Sequence, residues 1–76
     1  MREIPDAIRA VEATLFAAEE PMTASEIGDY VGEGVDVRSA LAELEGHYAG
    51  RGIELVERGG RWHFQTSADL AHILRR

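Results

Sequence analysis

Residues 53–66 read IELVERGGRWHFQT, and this stretch restricts the fold more tightly than any other. Its side chains alternate in character on both sides of Gly59-Gly60. Ile53, Leu55 and Glu57 alternate with Glu54, Val56 and Arg58; beyond the glycines, Trp62, Phe64 and Thr66 alternate with Arg61, His63 and Gln65. A period of two is the mark of a strand, whose successive side chains point to opposite faces. A two-residue Gly-Gly loop favours a type I′ turn, which needs positive φ at both positions. That turn fixes the register, with Arg58 opposite Arg61, Leu55 opposite Phe64 and Ile53 opposite Thr66. Opposed residues share a face. Ile53, Leu55, Trp62 and Phe64 are therefore expected on one side, beside Glu57 and Thr66. Arg58, Arg61, Val56, His63, Glu54 and Gln65 are expected on the other. The turn and the alternation agree only in this register. A lone hairpin is not stable in water, so its apolar face requires a partner layer.

The rest of the chain supplies helices for that layer. Ile8, Val11, Leu15 and Ala18 repeat with helical spacing, extended by Ile4, and predict a helix over 6–18. Pro5-Asp6 starts it, and Pro21 ends it by disfavouring helical geometry at Glu20. Phe16 lies about 80° from Ile8 at 100° per residue, off the apolar stripe, and Ala10, Ala13 and Ala17 keep the far side small. Thr23 and Glu26 match the capping box, so a short second helix follows, with Ala24, Ile27, Tyr30 and Val31 on one face and Gly32 after its end. Asp36 is the expected N-cap of a third helix reaching about Ala49, with Val37, Ala40, Leu41, Leu44 and Tyr48 on one face and Gly50 as its stop. Gly28 and Gly46 fall inside helices, where close backbone approach or tolerance on an exposed face would account for them. Ser67 is placed to cap a last short helix with Leu70, Ile73 and Leu74 on one face.

Three helices, a hairpin and a short helix, in the order α-α-α-β-β-α, form the winged helix-turn-helix arrangement: mainly α with a small β-hairpin. With 76 residues the expectation is one domain over 1–76, of modest stability, for which oligomerisation is a live option. The absence of cysteine removes disulfides, thiolate metal sites and a cysteine nucleophile. No apolar run approaches a membrane span, and MREIPDAIRA lacks a signal-peptide core, so the expected location is the cytoplasm.

Catalytic chemistry is hard to assemble. His47, His63 and His72 lack metal-ligand spacing. Ser25, Ser39 and Ser67 sit where helix starts use serine. Glu19-Glu20 and Glu43/Glu45 read as solvated charge, and the glycines of RGIELVERGG close a hairpin instead of opening a phosphate-binding helix. No catalytic, cofactor or metal residue is assigned. Winged helices often bind DNA by setting the third helix in the major groove. Here that outward face offers Arg38, Ser39, Ala42, Glu43, Glu45 and Gly46. Residues 1–50 carry three arginines against eleven acids, and residues 51–76 five arginines against three acids, for a chain total of −6. Most of the molecule would repel phosphate. Under a DNA-binding alternative, a transcriptional regulator domain, Arg38, Arg58 and Arg61 are the phosphate-contact candidates. Protein contact is the stronger expectation. Its candidates are Arg9, Ala13 and Phe16 on the first helix and Trp62 near the hairpin tip. The competing reading is that Phe16 closes the core under the wing or against the last helix, and that the domain covers Trp62 itself.

AIRAVEATLFAAEEPMTASEI resembles the opening helix and turn of the segregation and condensation protein B (ScpB) family, with its pattern EALLF, then E-P-L-T. RGIELVERGGRWHFQTSADLAHIL is similar to that family's hairpin and following helix: RG-I-E-L-x-E, a turn, Y-x-L-x-T, a polar cap and a short helix. The resemblance implies a non-enzymatic winged-helix scaffold in the bacterial SMC–kleisin complex for chromosome condensation and segregation. Its implied partners are itself, as a homodimer, and the kleisin subunit ScpA, which bridges the heads of the SMC ATPase. It implies no cofactor, no membrane, no small-molecule substrate and no direct nucleic-acid binding, in a nucleoid-associated protein of the cytoplasm. The family carries two tandem winged-helix domains. This chain matches the first, the one linked to self-association. The tight Gly59-Gly60 turn departs in detail from the family pattern.

Overall fold

The computed structural model describes residues 4–74. Helix α1 (Ile4–Ala17) is followed by a two-residue strand β1 (Met22–Thr23), helices α2 (Ala24–Val31) and α3 (Val37–Tyr48), strands β2 (Ile53–Arg58) and β3 (Arg61–Thr66), and a 3-10 helix (Ala68–Leu74). Helix α1 begins two residues before the expected Asp6, so Pro5 lies in its first turn, where a missing N–H breaks no helical bond. The side chains of Ile4 and Leu74, both placed on apolar faces by the sequence reading, lie outside the described residues. The hairpin has the register required by its turn: Arg58 faces Arg61, Leu55 faces Phe64 and Ile53 faces Thr66. Gly59 and Gly60 have φ of 59° and 83°, the left-handed pair of a type I′ turn. A Glu57 carboxylate oxygen accepts the Gly60 N–H at 2.7 Å and closes the tip.

Strand β1 was not expected. Pro21 has no N–H and cannot extend α1, so the chain leaves extended, and Thr23 keeps that conformation (φ −78°, ψ 161°) because an N-cap residue must. The extended pair lies along β3, with Met22 opposite Trp62 and Thr23 opposite Arg61, and makes an antiparallel sheet of order β1-β3-β2. The capping box forms as its sequence dictates: the Glu26 N–H donates to Thr23 Oγ1 at 3.1 Å, and the Thr23 N–H donates to the Glu26 carboxylate at 2.9 Å. Gly32 (φ 104°) ends α2, its N–H donating to the Gly28 carbonyl at 3.0 Å. Asp36 caps α3 by accepting from the Ser39 N–H at 3.2 Å and the Ser39 hydroxyl at 2.8 Å. These two bonds hold the Asp36 carboxyl below its ordinary pKa, the hydroxyl's contribution being the larger.

The core sits where the three helices meet the sheet. Val11, Leu15, Ile27, Ala40, Leu41, Leu44 and Leu55 are buried, with Ile8, Val31, Val37, Tyr48, Trp62 and Phe64 packed around them. Tyr48 joins layers: its hydroxyl donates to Glu12 of α1, its ring meets Phe64 at 5.1 Å, and the Arg51 guanidinium lies 5.9 Å from its centroid. Arg51 also closes the end of α3, Nε donating to the His47 carbonyl at 2.9 Å. Three expectations change. Ile53 is 46% exposed, because it opens β2 at the outer edge of the sheet. Ile73 is 63% exposed; at about 2 Å per residue a 3-10 turn carries it about 6 Å beyond Leu70. Ser67 is buried and does not act through its side chain as a cap. Its hydroxyl donates to the Arg51 carbonyl and its N–H to the Gly52 carbonyl at 2.9 Å, tying the exit of the hairpin to its entrance. Gly46 has open space where a Cβ would stand, and at Gly28 a Cβ would meet Val37 Cγ2 at an ordinary 3.8 Å, so neither glycine is demanded by close packing.

Candidate protein-contact surface

Helix α1 turns one stripe to the core and another to solvent. Val11 and Leu15 are buried, while Arg9, Ala13, Phe16 and Ala17 are exposed. Arg9, Ala13 and Phe16 stand at i, i+4 and i+7, so they share one face. Phe16 is 80% exposed. It does not close the core under the wing or against the last helix, which overturns the reading that this small domain uses it internally. An aromatic ring left in water beside an alanine is an apolar projection on a flat, small-residue surface.

Trp62 has a different setting. It is half-buried against the core cluster, with Met22 on one neighbouring strand and Glu57 on the other. Strand β1 supplies the cover on its Met22 side, so the domain itself shelters part of the indole. Phe16 and Trp62 therefore do not enter as equals: one is bare, the other is partly spent on the core.

A further aromatic residue is exposed where the sequence reading placed it inward. Tyr30 is 76% exposed, although Ile27, three residues earlier, is fully buried. Helix α2 is two turns long, and at 100° per residue Tyr30 stands about 60° from Ile27. Tyr30 lines an open groove together with Ala17, Ala18, Pro21 and Met22, the acidic Glu19, Glu20, Glu26 and Asp29, and Arg61.

The presumptive DNA-facing surfaces carry little positive charge. Arg38, Ser39, Ala42, Glu43, Glu45 and Gly46 of α3 are all exposed, as expected, and His47 stands 3.7 Å from Glu43. Arg58 and Arg61 are exposed cross-strand neighbours at the wing tip. Arg61 already faces the Glu26 carboxylate at 3.5 Å, which reduces its attraction for phosphate. Ser25 is exposed at the start of α2. Among the described residues no three His, Asp or Glu side chains converge as a metal site, and no helix is long and apolar enough to cross a membrane.

Three helices with an appended hairpin, completed into a sheet by a strand at the start of α2, define a winged-helix domain. Its accessible faces are acidic and aromatic. The model of the family described as segregation and condensation complex subunit ScpB matches residues 9–76, and the chain belongs to that family. A solved dimer of an ScpB N-terminal domain complexed with an ScpA peptide is similar over 97% of this chain and 90% of its own, at 31% identity and a TM-score of 0.81. ScpB from Mycobacterium tuberculosis matches with a TM-score of 0.86 and 22% identity over 97% of this chain. A conserved hypothetical protein from Chlorobium tepidum matches with a TM-score of 0.78 and 23% identity over 95%. At those identities the last two show the shared fold alone. The chain spans about half the length of both, 48% in each case. No match is found among curated protein sequences.

Proposed function

We propose that this domain is a non-enzymatic scaffold of the bacterial SMC–kleisin complex, acting in chromosome condensation and segregation through self-association and protein contacts. In this reading it forms a homodimer, contacts the kleisin subunit ScpA and through it SMC, and works in the cytoplasm at the nucleoid. Membership of the ScpB family supports the setting. The solved N-terminal domain of that family, a dimer with an ScpA peptide, supports both kinds of contact. Residues 1–76 correspond in this account to the first of the family's two winged-helix domains. The 90% coverage of the N-terminal-domain chain, against 48% of two longer chains, favours that assignment.

The observation that carries the proposal is Phe16, bare on a face otherwise built of Arg9 and alanines. We assign that face, Arg9, Ala13 and Phe16, to the dimer contact, and keep Trp62 as a further contact candidate. Interfaces take most of their energy from a few aromatic and arginine anchors ringed by small contacts. Phe16→Glu is expected to shift the domain to monomer in light scattering while leaving its helical circular dichroism intact. Unchanged self-association in that variant would remove this face from the account. Arg38, Arg58 and Arg61 are too few to hold DNA: a labelled duplex retained at low salt is expected to dissociate at physiological salt, because two or three phosphate contacts give weak affinity to begin with and salt lowers it further. Tight, sequence-dependent binding at physiological salt would favour the regulator alternative.

A further inference from the structure

The groove beneath Tyr30 adjoins the face assigned to self-association: Ala17 lines it, while Arg9, Ala13 and Phe16 do not. Its apolar lining is Ala17, Ala18, Pro21 and Met22, beside a tyrosine, Tyr30, that is 76% exposed. Its charged lining is four acidic residues, Glu19, Glu20, Glu26 and Asp29, against one arginine, Arg61, already set against Glu26. The same place receives the C-terminal end of α1, which has no basic residue in its last turn. The partial negative charge of that helix end therefore adds to Glu19-Glu20.

Charge decides what such a groove can hold. A second copy docked about a two-fold axis here would bring its own four carboxylates against these four, because such a contact is made by one patch on itself. Nucleic acid is repelled for the same reason. A metal ion has no group of three ligands to hold it among the described residues. Addition of an extra strand along β1 is blunted as well: Pro21 has no N–H and the Thr23 N–H is committed to Glu26. What fits is a linear segment read by its side chains, with arginine or lysine reaching the acidic residues and one apolar residue set against Met22, Pro21 and Tyr30. We propose that this acidic, tyrosine-lined groove binds a basic linear peptide segment of a partner protein. The proposal rests on reading the domain as a protein-contact module, and it places a partner site next to the dimer face, on residues other than Arg9, Ala13 and Phe16.

The test uses the 76-residue chain with nitrogen-15 label. The probe is a synthetic peptide of about twelve residues with four arginines, two leucines and otherwise serine and glycine, a length suited to an extended segment crossing one groove. A counterpart carries glutamate at each arginine. The basic peptide is expected to shift the amides of residues 17–22 and 26–30, and the acidic one to shift none. The exposed pair Glu19→Gln/Glu20→Gln is expected to weaken binding about tenfold. Tyr30→Ala is expected to weaken it about fivefold. Phe16→Glu is expected to leave peptide affinity unchanged while abolishing self-association, so the two surfaces fail or succeed separately. Shifts confined to other surfaces, equal binding of the acidic peptide, or undiminished affinity in the Glu19→Gln/Glu20→Gln variant would overturn the proposal. Concentration-dependent shifts of residues 17–30 without peptide would also overturn it, by assigning the groove to a second copy.

Discussion

At position 48 one side chain joins three parts of the molecule. The Tyr48 hydroxyl donates to Glu12, its ring tilts against Phe64, and Arg51 lies over it. The hydrogen bond to Glu12, then burial, then the carboxylate's charge raise the Tyr48 pKa above its ordinary value. The folded protein therefore holds that proton more tightly than the unfolded chain does. The resulting stabilisation is complete below the pKa of a free tyrosine, about 10, and is lost as pH rises through the folded value. Two tyrosines are present, so a Tyr30→Phe background leaves Tyr48 as the sole reporter. In that background Glu12→Gln is expected to lower the pH at which tyrosinate absorbance appears; an unmoved titration would remove Glu12 as the cause. Tyr48→Phe is expected to cost about 1 kcal/mol in urea unfolding, the worth of one hydrogen bond.

Among the elements, those closed by local chemistry were legible in the sequence and those closed by tertiary pairing were not. Thr23/Glu26, Asp36, Gly32 and Gly59-Gly60 act on neighbours within a few residues, and each formed where its residue type demanded. Thr23→Ala is expected to lose about 1 kcal/mol in urea unfolding. Gly59→Asn is expected to be near neutral, since asparagine accepts a left-handed conformation. Gly60→Val is expected to cost about 1–2 kcal/mol, because a β-branched residue does not accept it. Equal stability of those two variants would contradict the type I′ turn. The depressed Asp36 carboxyl adds stability that is present above the ordinary aspartate pKa and is lost as pH falls through the folded value. An Asp36→Asn variant is thus expected to show a shallower acid limb in thermal melts below neutrality.

Strand β1 escaped because two residues carry no period; only β3 beside them makes Met22–Thr23 a strand. Tyr30, Ile53 and Ile73 escaped for a related reason. Spacing gives the angle of a side chain but not whether a neighbour is there to cover it. A core whose fully buried apolar members, among the described residues, are Val11, Leu15, Ile27, Ala40, Leu41, Leu44 and Leu55 runs out of cover before the apolar residues run out. The candidate contact face was legible only as a residue off its stripe. The groove was not legible at all, because Met22 and Arg61 join it through the sheet.

For the molecule as a whole, the core and the charge pull toward one account. The core is small, and Leu44→Ala, which empties a fully buried site, is expected to cost about 3 kcal/mol, a large part of the total for a domain of this size. Its effect is measurable as a lowered urea midpoint. A net charge of −6 keeps the accessible faces from phosphate. Phe16 and Tyr30 instead stand exposed, and they are the apolar contacts proposed for protein partners. The central claim is that this winged helix associates with its own kind. Light scattering on a concentration series through the micromolar range tests it most directly. The account predicts a mass rising from the 8.4 kDa of one chain toward twice that value, with Phe16→Glu holding it at one chain. A mass that stays at one chain throughout would contradict it.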